Sequence, residues 1–85
     1  MGGYEVIKSE IFLNQLKELL NSSNAAVYAR AFRELVEAIS KDPWSKGGVM
    51  FTGQQWVYGL LDYKIRPNIN KDKKTVELLE MFRLP

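Results

Sequence analysis

Cysteine and histidine are both absent from the 85 residues. Without cysteine there is no disulfide scaffold, no thiol nucleophile and no thiolate metal site. Without histidine there is no Ser-His-Asp triad, no imidazole ligation of haem and no zinc-deaminase centre. No apolar run approaches the ~18 residues that span a bilayer, and no signal peptide is visible, so a membrane partner is not expected. A chain free of cysteine fits a reducing compartment, and the expected location is the cytoplasm. Glu5, Glu10 and Glu18 show no convergence of the kind metal catalysis by paired carboxylates uses. Neither a metal nor any other cofactor is therefore expected.

What is present is enough for one domain spanning residues 1–85. A compact chain of this length has a radius of gyration of about 12 Å and one thin core. Twelve basic and ten acidic side chains give a formal net charge of +2. The distribution is uneven: residues 1–42 carry a net −1, and Trp44 to Lys74 carries +4. A basic second half is open to a polyanionic partner or to a solvated surface.

Tyr4–Lys8 alternates as a short strand. Ser9 is placed to cap a helix over residues 10–20, where Ile11, Phe12, Leu16, Leu19 and Leu20 recur at helical spacing. Asn21-Ser22-Ser23-Asn24 reads as a polar turn. Ala25–Ser40 follows as a second amphipathic helix, with Tyr28, Phe32, Leu35, Val36 and Ile39 on one stripe. Glu37 and Lys41 stand four apart, the favourable order for a surface pair. Asp42-Pro43 stops the helix. Beyond the link Lys46-Gly47-Gly48 the period changes. Val49–Thr52 reads as a brief extended piece with a turn at Gly53, and Gln55–Leu61 and Tyr63–Ile69 read as strands. Pro67 points to a sheet edge or a bulge. Residues 75, 78, 79 and 82 would share a helix face. The short polar turn Asn70–Lys74 favours instead a strand over Thr75–Arg83, paired with 63–69. The expected class is α+β: an N-terminal strand, a helical hairpin, then a three- to four-stranded antiparallel sheet.

Leu61-Asp62-Tyr63-Lys64-Ile65-Arg66 and Lys73-Lys74-Thr75-Val76-Glu77-Leu78-Leu79 are the most specific stretches. They resemble the Asp-Tyr-basic strand, charged turn and closing apolar strand of the RelE/ParE superfamily of toxins from toxin–antitoxin pairs. Tyr4-Glu5-Val6-Ile7-Lys8-Ser9 resembles the family's first strand, and Phe12–Leu20 with Ile39–Pro43 its helical hairpin. The resemblance implies a toxin inhibited by a cognate antitoxin. On the RelE side it implies a ribosome-dependent endoribonuclease that cuts mRNA and inhibits translation. On the ParE side it implies a non-catalytic protein that targets DNA gyrase. A degenerate protein that only binds a partner is the remaining alternative. The family's basic residue after Asp-Tyr falls on Lys64, that at the end of the last strand on Arg83, and the loop base on Lys46. Arg66 shares the strand face of Lys64. Lys64 stands where arginine is commoner, so it brings a point charge rather than a planar fork.

Cleavage of RNA by its own 2′-hydroxyl needs alignment with the scissile phosphorus, positive charge on the nonbridging oxygens and a route for protons. Lys64, Arg66 and Arg83 are the expected catalytic residues of such a site. Lys46, Lys71, Lys73 and Lys74 are the expected RNA-binding residues. Each also reads as an ordinary solvated strand, loop or turn residue. Tyr63 belongs on the face opposite Lys64. Tyr58 fits either stacking on a base or packing in the sheet. Trp44 and Trp56 fit packing roles, and an exposed tryptophan would indicate a partner surface. Glu77 is a candidate ion-pair partner for Arg83 or Lys64.

Overall fold

A computed structural model describes residues 3–49 and 55–83. The first strand, β1 (Glu5–Lys8), leads into helix α1 (Glu10–Leu19) and helix α2 (Ala25–Lys41). Strands β2 (Gly48–Val49), β3 (Trp56–Leu60), β4 (Tyr63–Asn70) and β5 (Thr75–Phe82) follow. The sheet order is β1-β5-β4-β3-β2, with β1 parallel to β5 and every other pair antiparallel. The α+β class, the helical hairpin and the four antiparallel strands agree with the sequence. The extended piece expected over Val49–Thr52 begins one residue earlier, at Gly48, and beyond Val49 it lies outside the described residues, as does Gly53.

Helix α1 begins where Ser9 supplies a cap. Its hydroxyl oxygen accepts from the Phe12 N–H at 3.0 Å and donates to the Leu79 carbonyl at 2.7 Å. The cap therefore satisfies an orphan helix donor and also ties the helix to β5. Phe12, Leu16 and Leu19, spaced four and three apart, are the buried residues of α1. On α2 the buried positions are Leu35 and Ile39, with Tyr28 and Phe32 partly buried on the same stripe. Both stripes meet Tyr58, Leu60, Ile65, Val76, Leu78 and Met81 from the sheet, forming one core. The chain's radius of gyration is 12.6 Å. The surface pair on α2 is Arg30–Glu34 at 3.7 Å, not Glu37–Lys41, and both its side chains are well exposed. Such a pair contributes little.

Asp42 adopts an extended φ of −152° ahead of Pro43, which ends α2. At Gly47 φ is +81°, and a Cβ there would run into the Val57 carbonyl. Glycine is required at that position. Pro67 lies in a central strand, at a bulge: Arg66 is opposite Glu80 and Pro67 opposite Leu78, so Leu79 has no partner in the ladder. The β3–β4 ladder runs only from Ile65 to Tyr63, so the missing proline N–H costs no ladder bond on that side. Strand β3 ends at Leu60, one residue short of the sequence expectation. Leu61, with φ of 56°, begins a two-residue turn to Tyr63. Its apolar side chain hides the turn from a reading based on residue type.

Candidate functional site

Residue alternation along β4 sorts the candidates onto two faces. Ile65 and Pro67 are buried under the helices, whereas Lys64 and Arg66 lie on the outer face of the sheet. Gly59 is directly opposite Lys64, and a Cβ at Gly59 would come within 3.9 Å of the Lys64 Nζ. The ammonium therefore rests over bare backbone. Among the described residues Lys64 makes no ion pair. Arg66 does: its Nε donates to Glu80 Oε1 at 3.1 Å, with both side chains about 40% exposed. The bulge sets this cross-strand pair by bringing Glu80 opposite Arg66. Glu77 lies opposite Asn68 and beside Ile7, so it partners neither Lys64 nor Arg83 by register.

Lys46 lies at the other side of Gly59. It lines a recess of about 180 Å3 with Ala31, Glu34, Leu35 and Gly59. Ala31, Glu34 and Leu35 belong to α2 and Lys64 does not line the recess, so Lys46 stands on the helix side of Gly59 and not on the outer face that carries Lys64. Lys71, Lys73 and Lys74 belong to the β4–β5 turn at the far end of β4. There Asn70 Oδ1 accepts from the Lys73 N–H, and Lys74 has φ of 54°. The expected RNA-binding residues therefore divide between two places.

Arg83 does not join Lys64 and Arg66. Phe82 is opposite Lys64, so the next side chain turns to the Tyr63 face. There Arg83 Nη2 donates to the Tyr63 hydroxyl at 3.1 Å, and the guanidinium lies 4.8 Å from the ring centroid. Asp62 Oδ2 stands 3.5 Å from Arg83 Nε, and Asp62 Oδ1 accepts from the Tyr28 hydroxyl at 2.6 Å. The Tyr28 hydrogen bond, more than the Arg83 charge, holds the Asp62 carboxyl below its ordinary value. The same bond pushes the Tyr28 hydroxyl up. Tyr63 and Asp62 together hold the Arg83 guanidinium in its charged form. Glu80, Asp62 and Tyr28 were not legible as partners, because register and the turn at Leu61 bring them in. The adjacency of Asp62 to Tyr63 was the available signal.

The lowered Asp62 carboxyl has a pH consequence with a definite sign. A carboxyl whose folded pKa lies below the unfolded value of 3.8 stabilises the fold fully above that value. The contribution is lost as pH falls through the folded value. The difference in urea midpoint between wild type and Asp62→Asn is therefore expected to be constant above about pH 5 and to shrink below about pH 4. A difference that grows on acidification would contradict the Tyr28–Asp62–Arg83 linkage.

Tyr58 is fully buried, and its hydroxyl donates to the Pro43 carbonyl at 2.8 Å. Burial pushes that hydroxyl up to about 12, with Asp42 adding to the shift. The Trp56 indole acts on it in the opposite sense but makes no hydrogen bond of full geometry. Tyr58 is thus a packing residue. Among the described residues no cluster of acidic side chains is arranged to hold a metal, and no helix is long and apolar enough to cross a membrane.

No protein-family model matches the chain, and no curated protein matches it. Solved structures do. A chain of the RelE–RelB complex from the archaeon Pyrococcus horikoshii superposes with a TM-score of 0.71 at 19% identity, over 98% of this chain and 96% of that one. A chain of the toxin–antitoxin complex RelBE2 from Mycobacterium tuberculosis gives 0.66 at 21% identity, over 96% of this chain and 99% of that one. At these identities the likeness is one of fold, and the chain has a RelE-like α+β fold.

Proposed function

We propose that the chain is the toxin of a toxin–antitoxin pair, a ribosome-dependent endoribonuclease that cuts mRNA in the cytoplasm. A cognate antitoxin is its inhibitory partner. The observation that carries this reading is the placement of Lys64 in a RelE-like fold. It stands on the outer sheet face, over the backbone of Gly59, unpaired among the described residues and next to Arg66.

A phosphate seated there meets the Lys64 ammonium directly, with Arg66 on its flank. These charges stabilise the dianionic phosphorane that forms when a 2′-hydroxyl attacks the adjacent phosphorus. Internal attack requires positioning and charge rather than a metal. The ribosome supplies a splayed, aligned mRNA, which a domain of this size has little surface to hold alone. An antitoxin is supported by the exposed apolar side chains on the helical hairpin, among them Ile11 and Val27. Each is more than half exposed, and a covering partner would remove them from water.

One observation favours a second reading. Arg66 is tied to Glu80, and Arg83 to Asp62 and Tyr63, which leaves fewer cations for a phosphate. A non-catalytic protein that binds DNA gyrase, or a partner-binding protein without nuclease activity, fits that arrangement. Induced expression separates the readings. Growth arrest with new mRNA 5′ ends at ribosome-covered codons is the expected result. Arrest with intact mRNA and altered DNA supercoiling would replace it with the gyrase reading. No growth effect would leave only partner binding.

A further inference from the structure

The arginines and the lysines of this chain are treated differently by the fold. Three of the four arginines, Arg30, Arg66 and Arg83, stand in an ion pair, and Arg33 does not among the described residues. Among the described residues no lysine stands in one. Three of those lysines crowd one four-residue turn, Lys71-Asp72-Lys73-Lys74, with Asp72 the single opposing charge within it. That turn lies at the end of β4 remote from Lys64. Six residues of extended strand separate Lys64 from Asn70, roughly 20 Å.

The lysine turn has an aromatic neighbour. Lys71 Nζ sits 5.6 Å from the centroid of the Trp44 ring. Trp44 is 43% exposed, although tryptophan carries the largest apolar area of any side chain. Its position is fixed from three sides. The Trp44 backbone N–H donates to Asp42 Oδ1 at 3.0 Å, and the neighbouring Ser45 hydroxyl donates to the Asp42 carbonyl at 2.8 Å. The preceding Pro43 is fully buried and receives the Tyr58 hydroxyl. The ring itself stands nearly perpendicular to Trp56, with centroids 5.1 Å apart and planes at 74°. A half-exposed indole held this firmly, with the Lys71 ammonium above it and two more lysines in the same turn, combines the two elements of a single-stranded nucleic-acid site. The ring offers a stacking surface, and the lysines meet the flanking phosphates.

We propose that Trp44 and the turn Lys71–Lys74 form a stacking site for single-stranded RNA, separate from the Lys64 face. A base lies on the indole where the Lys71 ammonium now rests, and that ammonium moves to the adjoining phosphate. Lys73 and Lys74 extend the contact along the backbone. Asp42 and Asp72 limit the charge, so the aromatic surface carries the preference for an unpaired base over a bare polyanion. The site deepens the RNA-directed reading above by giving the mRNA a second hold on this chain.

The test uses the whole chain and a uridine homopolymer of about ten nucleotides, within the usual footprint of single-strand binders. Stacking on an indole quenches its emission, and Trp44 and Trp56 are the two tryptophans. A Trp56→Phe chain assigns the quench to Trp44. Trp44→Ala is expected to weaken binding about tenfold or more, with Trp44→Phe intermediate. Replacing Lys71, Lys73 and Lys74 by glutamine is expected to lower the salt slope by about 2, at ~0.7 per phosphate contact.

Unchanged binding by Trp44→Ala, or equal quenching by inorganic polyphosphate, would overturn the site. If Trp44→Ala does not fold, quenching in the Trp56→Phe chain decides the matter, and its absence overturns the site. The two readings fail separately. Ribosome-dependent cleavage with Trp44-independent homopolymer binding removes the stacking site and keeps the nuclease. Trp44-dependent binding by a chain that cleaves nothing keeps the site and removes the nuclease.

Discussion

Phe12→Ala is expected to cost about 3–5 kcal/mol and to lower the thermal midpoint by about 15–30 °C. Phe12 is fully buried and belongs to the single core between the hairpin and the sheet. Its ring packs on Phe32 of α2, with centroids 5.7 Å apart, so one side chain joins the two helices. Truncation leaves a cavity that the helices cannot close, because the Ser9 cap fixes the start of α1 to Leu79. Domains of this size have a total stability of about 5–15 kcal/mol, so the loss takes a large share of it. Ile11→Ala next to it is the control: Ile11 is 61% exposed, and its change should stay within about 0.5 kcal/mol. Chemical denaturation of the two variants measures both. A Phe12 variant within 1 kcal/mol of wild type would mean that the hairpin is held by something other than this core.

The core was legible because it depends on local periodicity. Phe12, Leu16 and Leu19, and Tyr28, Phe32, Leu35 and Ile39, are separated by three or four residues, and no distant information is needed to place them on one face. The strand over Thr75–Phe82 was legible for a different reason. Its residues fit a helix face equally well, and only the short turn Asn70–Lys74 decided the matter. The parallel pairing of β1 with β5 was not legible. It joins Glu5 to Thr75 across the whole chain, and four residues of β1 say nothing about which strand they meet.

The candidate site divides along the same line. That Lys64 and Arg66 share a face follows from a period of two and needs no partner strand. Which carboxylate meets which cation depends on register, and register here contains a bulge. Without it Arg66 would face Leu79 rather than Glu80. Arg83 shows the same dependence. Its side chain falls on the Tyr63 face because Phe82 takes the place opposite Lys64, and the Leu61 turn then delivers Asp62 to it. Charge-bearing residue types were therefore readable from the sequence, and their neutralisation was not. The consequence, among the described residues, is that one of the three candidate cations, Lys64, is unpaired.

That asymmetry gives the Lys64 variants their expected order. Under the nuclease reading, Lys64→Gln is expected to lower ribosome-dependent cleavage by about 100-fold or more, the usual loss when one group stabilising a developing oxyanion is removed. Its thermal midpoint should stay near wild type, because Lys64 makes no ion pair among the described residues and lies over bare backbone. Lys64→Arg should restore part of the activity, since the charge returns although its shape differs. Arg83→Gln should cost cleavage much less than Lys64→Gln, because Arg83 is engaged by Tyr63 and Asp62 on the other face. Arg66→Gln falls between the two and also exposes Glu80, whose unpaired carboxylate repels the incoming phosphate. Single-turnover cleavage on programmed ribosomes measures all four rates against a common wild type. Equal losses for Lys64 and Arg83 would mean that Arg83 leaves Asp62 when RNA binds. An unchanged rate for Lys64→Gln would remove Lys64 from the chemistry and leave the outer face as a binding surface.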